Sequence, residues 1–370
     1  MERLYTDQLR PGMMIARTVY GADGRPLLTQ NTQLTEAYIR RLDNLGIGSV
    51  YIKDGFSDIE IPEIISAQVM TAVSTNLKTA LVDFAQRKAI DIAAVKKSVA
   101  LLIDNILMNR HLLIHIEDIR SYDDYLLFHS INVAVLSVMT GLSLGYPEGN
   151  LMDLGMGALL HDIGMISVAP EILSKTEELN GFERAQVRKH PEVGFNILRN
   201  YREISTPAAH IAYQHHERFD GAGYPRQLSK KQIIEYAKIA AVADTFDAVV
   251  SDRPYRKGYS TTDGLIVVKK LVSSYFDPDI VEAFAANIAM YPVGCLLELS
   301  NDKIAVVISA TKANASRPVV YVICDKERNL VQPFYGIDLM QNRDVRIIKR
   351  LDKEETESIR SVMRTQINVK

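Results

Sequence analysis

Between Pro62 and about Ala289 apolar residues recur at helical spacing with little interruption, and no long alternating strand pattern appears. Ile64, Ile65, Val69, Ala72 and Val73 open the pattern on one helical face, and further apolar stripes follow. Pro147, Pro170, Pro191 and Pro207 punctuate it. Proline suits a first helical turn and breaks a helix interior, so these positions read as helix boundaries. So long a stretch in one periodicity predicts a helical bundle over residues 61–290.

The flanks carry other signals. Residues 1–60 predict a small α/β domain: Val19 and Tyr20 close a strand, Ala22-Asp23-Gly24-Arg25 is a turn, and Pro26–Leu28 is the return strand. Thr35 is placed to cap a helix that carries Ile39 and Leu42 on one face. Gly46 and Gly48 break that helix before the β-rich Ser49-Val50-Tyr51-Ile52. After Tyr291-Pro292-Val293-Gly294, short apolar runs at 296–299, 304–308 and 319–323 predict a β-rich appendage over 291–370. Its charged end, from Asp352, reads as a surface helix or tail. The expected class is mainly α, a helical bundle with a small α/β N-terminal domain and a small β-rich C-terminal appendage.

A net charge of −2 over 370 residues provides no global field toward nucleic acid or an anionic membrane, so an anionic ligand must be met by local basic groups. Cys295 and Cys324 form no pair motif and read as reduced apolar side chains. The N-terminal Met-Glu-Arg-Leu-Tyr lacks a signal-peptide pattern, and no run of about 18 apolar residues is apparent. The expectation is a cytoplasmic protein without a membrane span and without a nucleic-acid polymer as partner.

Six histidines stand in suggestive places: His129, His161, His190, His210, His215 and His216. Asp162 follows His161, and Glu217 follows His215-His216. Any one of them alone is an ordinary core or surface histidine; their number in one helical stretch is not ordinary. His129 is expected in a helix starting near Ser121, with Asp123 and Asp124 in its first turn. His161-Asp162 is expected to close a helix over 150–163, with Gly164 as its C-cap. Asp244 lies in an alanine- and valine-rich helix, where a buried carboxylate needs a compensating partner. A divalent metal would be one, and imidazole with carboxylate suits iron, manganese or zinc better than magnesium or calcium. Two ions roughly 3.5–4 Å apart, bridged by a carboxylate, can hold a hydroxide and clamp a phosphate. Asp162 can reach two ions through its two oxygens, which assigns it the bridging, catalytic position.

These residues resemble a known family. His161-Asp162-Ile163-Gly164 is similar to the HD signature, and His215-His216-Glu217-Arg218-Phe219-Asp220-Gly221-Ala222-Gly223-Tyr224-Pro225 to the GYP signature, of HD-GYP phosphodiesterases. The match extends through Phe128-His129-Ser130-Ile131-Asn132-Val133-Ala134 and Lys189-His190-Pro191-Glu192-Val193-Gly194. It ends with Val242-Ala243-Asp244-Thr245-Phe246-Asp247-Ala248 and Ser251-Asp252-Arg253-Pro254-Tyr255-Arg256-Lys257, so that ordered blocks cover about 120–260.

The resemblance implies an all-α HD bundle that holds two divalent transition metals, iron or manganese. The implied ligands are His129, His161, Asp162, His190, His215, His216 and Asp244, with the partition of His215 and His216 between ions left open. Gly221, Gly223, Tyr224 and Pro225 would line the substrate pocket, and Arg253, Arg256 and Lys257 would meet phosphate. The implied reaction is attack of a metal-bridging hydroxide on cyclic di-GMP, giving pGpG and then GMP. A homodimer and diguanylate cyclases are the implied partners.

Two positions depart from the family pattern. Tyr125 stands where some members place a glutamate for a third metal, which favours two ions here. Met165 stands where many members have a lysine near the phosphate, which puts the rate in doubt but not the metal site. The alternatives are therefore a cyclic-dinucleotide sensor with weak turnover and another HD-type nucleotide phosphohydrolase. Arg10-Pro11-Gly12-Met13 and Leu34-Thr35 carry a weaker resemblance to a small domain found ahead of this catalytic domain.

Overall fold

The computed structural model describes residues 2–16, 18–21, 26–45, 47, 49–53, 64–87, 89–114, 125–175, 177–251 and 258–367. The chain divides into two compact units: Met1–Glu63 with His111–Asp123 and Ala289–Lys370, and Ile64–Arg110 with Asp124–Ile288.

In the first unit, β1 (Glu2–Tyr5) pairs antiparallel with β4 (Ser49–Ile52), and β2 (Val19–Tyr20) with β3 (Pro26–Leu28). Between β3 and β4 runs α1 (Glu36–Asn44), whose first turn is capped by the Thr35 hydroxyl accepting from the Tyr38 amide at 3.3 Å. Leu4, Ile15, Leu34, Leu42 and Val50 form the core of this segment. The expected strands at 19–20, 26–28 and 49–52 are present. The proposed turn at 22–25 and the glycines 46 and 48 lie outside the described residues.

The second unit is helical: α2 (Ala67–Arg87), α3 (Ile92–Met108), α4 (Tyr125–Ser143), α5 (Glu148–Leu159), α6 (Pro170–Leu173), α7 (Gly181–Val187), α8 (His190–Leu198), α9 (Thr206–Gln214), α10 (Glu235–Val250), α11 (Thr261–Lys270) and α12 (Pro278–Ala285). The four prolines named above cap or open α5, α6, α8 and α9. The start of α4 expected near Ser121 lies outside the described residues. At the centre, α4 packs against α5, α10 and α12 and buries Ile131, Val133, Ala134, Leu136 and Met139. On α10 the run Ala240, Ala241 and Ala243 supplies small side chains, so its backbone can approach α4 closely.

One sequence expectation is corrected here. The 18-residue window Leu126–Ser143 of α4 is long and apolar enough to cross a bilayer by composition. Most of that window is buried by the surrounding helices, which accounts for its apolarity as that of a core helix.

The rest of the first unit holds a five-stranded antiparallel sheet made of β5 (Leu296–Leu299), β6 (Lys303–Ser309), β7 (Val319–Asp325), β8 (Leu330–Asp338) and β9 (Ile347–Arg350). Its spatial order is β8-β7-β6-β5-β9. One face buries Leu297, Leu299, Val307, Val320 and Val322. The other buries Leu296, Val306 and Ile323 under Ile359 and Met363 of α13 (Lys353–Ile367), so the charged C-terminal stretch is a helix with a docked apolar side. The class is the expected one, mainly helical with a small C-terminal antiparallel sheet.

A second correction concerns Gly164. Helix α5 ends at Leu159 with Leu160 as its C-cap, and Gly164 belongs to a following 3-10 turn, Ile163–Ser167. This glycine is there for proximity: a Cβ on it would lie 2.0 Å from the His190 carbonyl oxygen and 2.7 Å from the Gly194 amide nitrogen. The turn carrying Asp162 and the first turn of α8 therefore touch backbone to backbone. Gly164→Ala must push them apart, and overpacking costs about 1–3 kcal/mol. A thermal melt should show that loss together with reduced metal uptake; a variant as stable as the parent would mean that the contact is not this tight.

Candidate metal centre

The helix ends bring His129 (α4), His161-Asp162 (after α5), His190 (start of α8), His215-His216 (end of α9) and Asp244 (α10) into one knot. Neighbouring imidazole centroids are 5.3 Å apart for His129 and His161, 4.9 Å for His161 and His215, 5.3 Å for His190 and His215, and 4.1 Å for His215 and His216. All seven residues assigned by sequence are therefore gathered in one place. His210 is not: its Nδ1 donates to the Thr206 carbonyl, and its ring packs on Phe195.

Each carboxylate spans the knot. Asp162 Oδ1 faces His190 Nε2 at 3.2 Å and His215 Nε2 at 3.6 Å, while its Oδ2 faces His161 Nε2 at 3.5 Å and His129 Nε2 at 4.0 Å. Asp244 Oδ1 lies 3.2 Å from His129 Nε2 and its Oδ2 3.9 Å from His216 Nδ1. Two groups of ligand atoms result, His129-His161-Asp162 and His190-His215-His216. His215 and His216 stand on the same side of the knot, with His190.

The tautomers follow from the outward hydrogen bonds. His161 Nδ1 lies 2.8 Å from the Ala158 carbonyl, His190 Nδ1 2.7 Å from Val187 O, and His215 Nδ1 3.0 Å from Ala212 O. A carbonyl only accepts, so each Nδ1 carries the proton and each Nε2 presents its lone pair to the centre. His161 Nε2 is buried and has no hydrogen-bond partner among the described residues. A buried lone pair aimed at a carboxylate needs a cation between them, and a divalent metal fits that donor set.

The electrostatics agree. Burial holds the pKa of His161 down to about 4, so this imidazole is neutral at pH 7. Burial would raise both aspartates, yet the surrounding imidazoles outweigh it and keep Asp162 and Asp244 anionic far below their ordinary range. For His129 burial disfavours the charged form, but hydrogen bonds to Asp244 and Asp247 reverse the effect and raise its pKa well above the ordinary value. His215 is raised for a parallel reason, with burial opposed by Asp162. A metal entering the knot must displace such protons, so its affinity falls as pH falls.

Two supporting residues escaped the sequence reading. Asp247, fully buried, accepts from His129 Nδ1 and from Asn132 Nδ2, both at 2.7 Å, and from Ser251 Oγ at 3.1 Å. The signal was available: Asp247 lies three residues beyond Asp244, and Asn132 three beyond His129, each pair on one helical face inside an apolar helix. Glu217, also buried, accepts from the amides of Arg226 at 2.7 Å and Leu228 at 2.9 Å, and so anchors the loop after the paired histidines.

Within that loop Gly221 adopts φ +84°, making the expected turn, and Gly223 lies against the backbone of 216–218 where a Cβ would be 2.4 Å from the Arg218 amide. Tyr224 stacks on His216 with ring centroids 4.8 Å apart, and Pro225 follows it through a cis peptide. Arg253, Arg256 and Lys257 lie outside the described residues, as does the side chain of Tyr125. Met165 is half-buried in the 3-10 turn, its amide bonded to the Asp162 carbonyl at 2.8 Å.

Known proteins resemble this chain over the helical unit and the C-terminal sheet. Residues 105–280 match the HD domain family, and residues 296–359 match a KOW domain associated with HD domain. A cyclic di-GMP phosphodiesterase of Pseudomonas aeruginosa is 28% identical over 92% of this chain and 89% of its own length. One from Thermotoga maritima is 38% identical over 42% of this chain and 43% of its own. An HDG"Y"P protein from Bdellovibrio bacteriovorus shares the fold at a TM-score of 0.52, with 16% identity, over 76% of this chain and 97% of its own. Residues 105–280, which carry the centre, are thus similar to the HD domain, and the relatives that match them are cyclic di-GMP phosphodiesterases by name.

Asp247→Asn keeps the shape but removes the charge that orients His129. Loss of such an outer carboxylate typically lowers metal affinity by about 10–100-fold. Chelator competition should show that drop without loss of fold, and an unchanged affinity would reduce Asp247 to a packing residue.

Proposed function

We propose that the chain is a metal-dependent phosphodiesterase that hydrolyses cyclic di-GMP to linear pGpG and onward to GMP. The observation that carries this reading is the orientation of four imidazole Nε2 atoms, of His129, His161, His190 and His215, around the two oxygens of Asp162. The names of the Pseudomonas and Thermotoga relatives supply the substrate.

The chain's own residues divide the work. His129, His161 and one oxygen of Asp162 would hold one divalent ion, and His190, His215, His216 and the other oxygen a second, with Asp244 reaching both sides. Iron or manganese suits this neutral nitrogen and carboxylate set. When bound, such a pair supplies Lewis acidity toward phosphate oxygens and an activated water at neutral pH. Asp162 and Asp244 bring two negative charges, which leaves the loaded centre positive toward a phosphodiester. Tyr224, stacked on His216, is one wall of the pocket, and Gly221, Gly223 and Pro225 shape the turn that presents it. Arg253, Arg256 and Lys257, a few residues beyond α10, would bind phosphate oxygens.

The working compartment in this reading is the cytoplasm, where Cys295 and Cys324 would stay reduced. Diguanylate cyclases would supply the substrate, and a second copy of the chain is the expected oligomeric partner.

Anaerobically purified protein should hold about two transition-metal ions per chain and turn over cyclic di-GMP, and a chelator should abolish turnover. The His161→Ala, Asp162→Ala double variant should lose both metal and activity; full metal in that variant would sink the assignment. Arg253→Ala and Arg256→Ala should each cost roughly ten- to a hundredfold in affinity or rate, the worth of a charged hydrogen bond. Unchanged kinetics would return these arginines to solvent.

A further inference from the structure

The basic side chains described near the centre differ in their partners. Lys175 is paired with Glu183 at 2.8 Å, Arg218 with Asp220 at 2.7 Å, and Lys238 with Asp277 at 2.8 Å. Arg188, at the end of α7 and two residues before His190, has an exposed side chain that makes no ion pair among the described residues. Its guanidinium instead lies over the Tyr224 ring, 5.1 Å from the centroid. That same ring stacks on His216, with centroids 4.8 Å apart and 26° between planes. Arg188, Tyr224 and His216 thus form a three-layer stack running from solvent into the metal knot.

The tyrosine ring lies between the guanidinium on its outer side and the His216 imidazole on its inner side. An arginine held on an aromatic face keeps its N–H donors at the edge of the guanidinium free to meet two oxygens of a phosphate. Charge at this place complements an anion that lies beside the metal-clamped group, since the thickness of the tyrosine ring separates Arg188 from the ligating imidazole.

We infer that Arg188 binds the second phosphodiester of a cyclic dinucleotide, the one that is not being cleaved, while the centre behind Tyr224 holds the first. This rests on the phosphodiesterase reading above and adds to it a residue that selects cyclic dinucleotides over simple diesters. Met165 brings no charge to the turn after Asp162, and Arg188 is a described source of positive charge beside Tyr224. Exposure makes the residue removable without damage to the fold.

The test compares the metal-loaded full chain with Arg188→Ala and Arg188→Lys on cyclic di-GMP and on bis(p-nitrophenyl) phosphate, which has a single phosphodiester. Metal content is measured on each preparation. The ratio of kcat/KM for cyclic di-GMP to that for the small diester should fall about ten- to a hundredfold in Arg188→Ala, chiefly through KM, and recover in part in Arg188→Lys. A ratio equal to that of the parent overturns the role of Arg188 and leaves the phosphodiesterase reading standing. A parent that cleaves only the small diester overturns the cyclic di-GMP reading and the Arg188 role with it.

Discussion

The burial of the Asp162 carboxylate is the constraint around which the helical unit is arranged. An anion removed from water loses several kcal/mol of solvation even after the protein relaxes around it. Here the compensation comes from four imidazoles on four separate segments, each with Nε2 within 4.0 Å of a carboxylate oxygen. No one helix could supply them, so the position of the carboxylate dictates where α4, α5, α8 and α9 must meet. Asp244 repeats the arrangement from α10 with His129 and His216. Imidazoles alone satisfy such a cluster poorly when neutral, and they repel one another when charged. A divalent cation satisfies all of them at once, which is the physical argument for metal here.

Helix ends explain why the histidines stand where they do. His161 follows α5, His190 follows α7 and His215 caps α9, and each donates its Nδ1 proton to a carbonyl from the last turn of the helix before it. Carbonyls of a last turn lack intrahelical partners, so a ring at that place finds an acceptor at no cost to the helix. The same bond turns Nε2 away from the helix and toward the centre. His129 sits in mid-helix where no such carbonyl is free, and a side chain, Asp247, takes over the task. The HD pair and the double histidine are thus two uses of one device, a helix C-terminus as the holder of an imidazole.

Much of this was legible in the residues, for reasons that differ by element. The bundle showed because its longer helices, α3, α4, α9 and α10 among them, bury apolar residues at helical spacing, and periodicity records that directly. The seven clustered residues showed because motif spacing and a buried carboxylate in Asp244 point to one place. Strands β8 and β9 did not show: Pro333 interrupts one, and much of the other faces solvent, so neither carries an apolar alternation. The C-cap assigned to Gly164 failed because a glycine needed for proximity looks, in sequence, the same as one needed for a turn. The contact that demands it comes from His190 and Gly194, more than twenty residues away, and only the fold brings them near. Asp247 left only its helical spacing to Asp244 as a signal, and Glu217, whose partners are two loop amides, left none. Their neighbours in space had to be known first.

The arrangement also bears on the missing lysine. Position 165 is tied by its amide to the Asp162 carbonyl, so any side chain there is carried by the same turn as the bridging carboxylate. A lysine at this half-buried place would put a full charge partly out of water, and it would need an anion or substrate to stay there. Met165 avoids that cost and packs as an apolar side chain. A guanidinium on the face of Tyr224 meets the same electrostatic need differently: it is solvated, always charged and supported by an aromatic ring. Positive charge at the rim is cheaper to maintain in the empty state than positive charge in the turn. A chain with methionine in the turn can therefore keep a stable centre before substrate arrives, and it leaves phosphate recognition to residues whose charge water already screens.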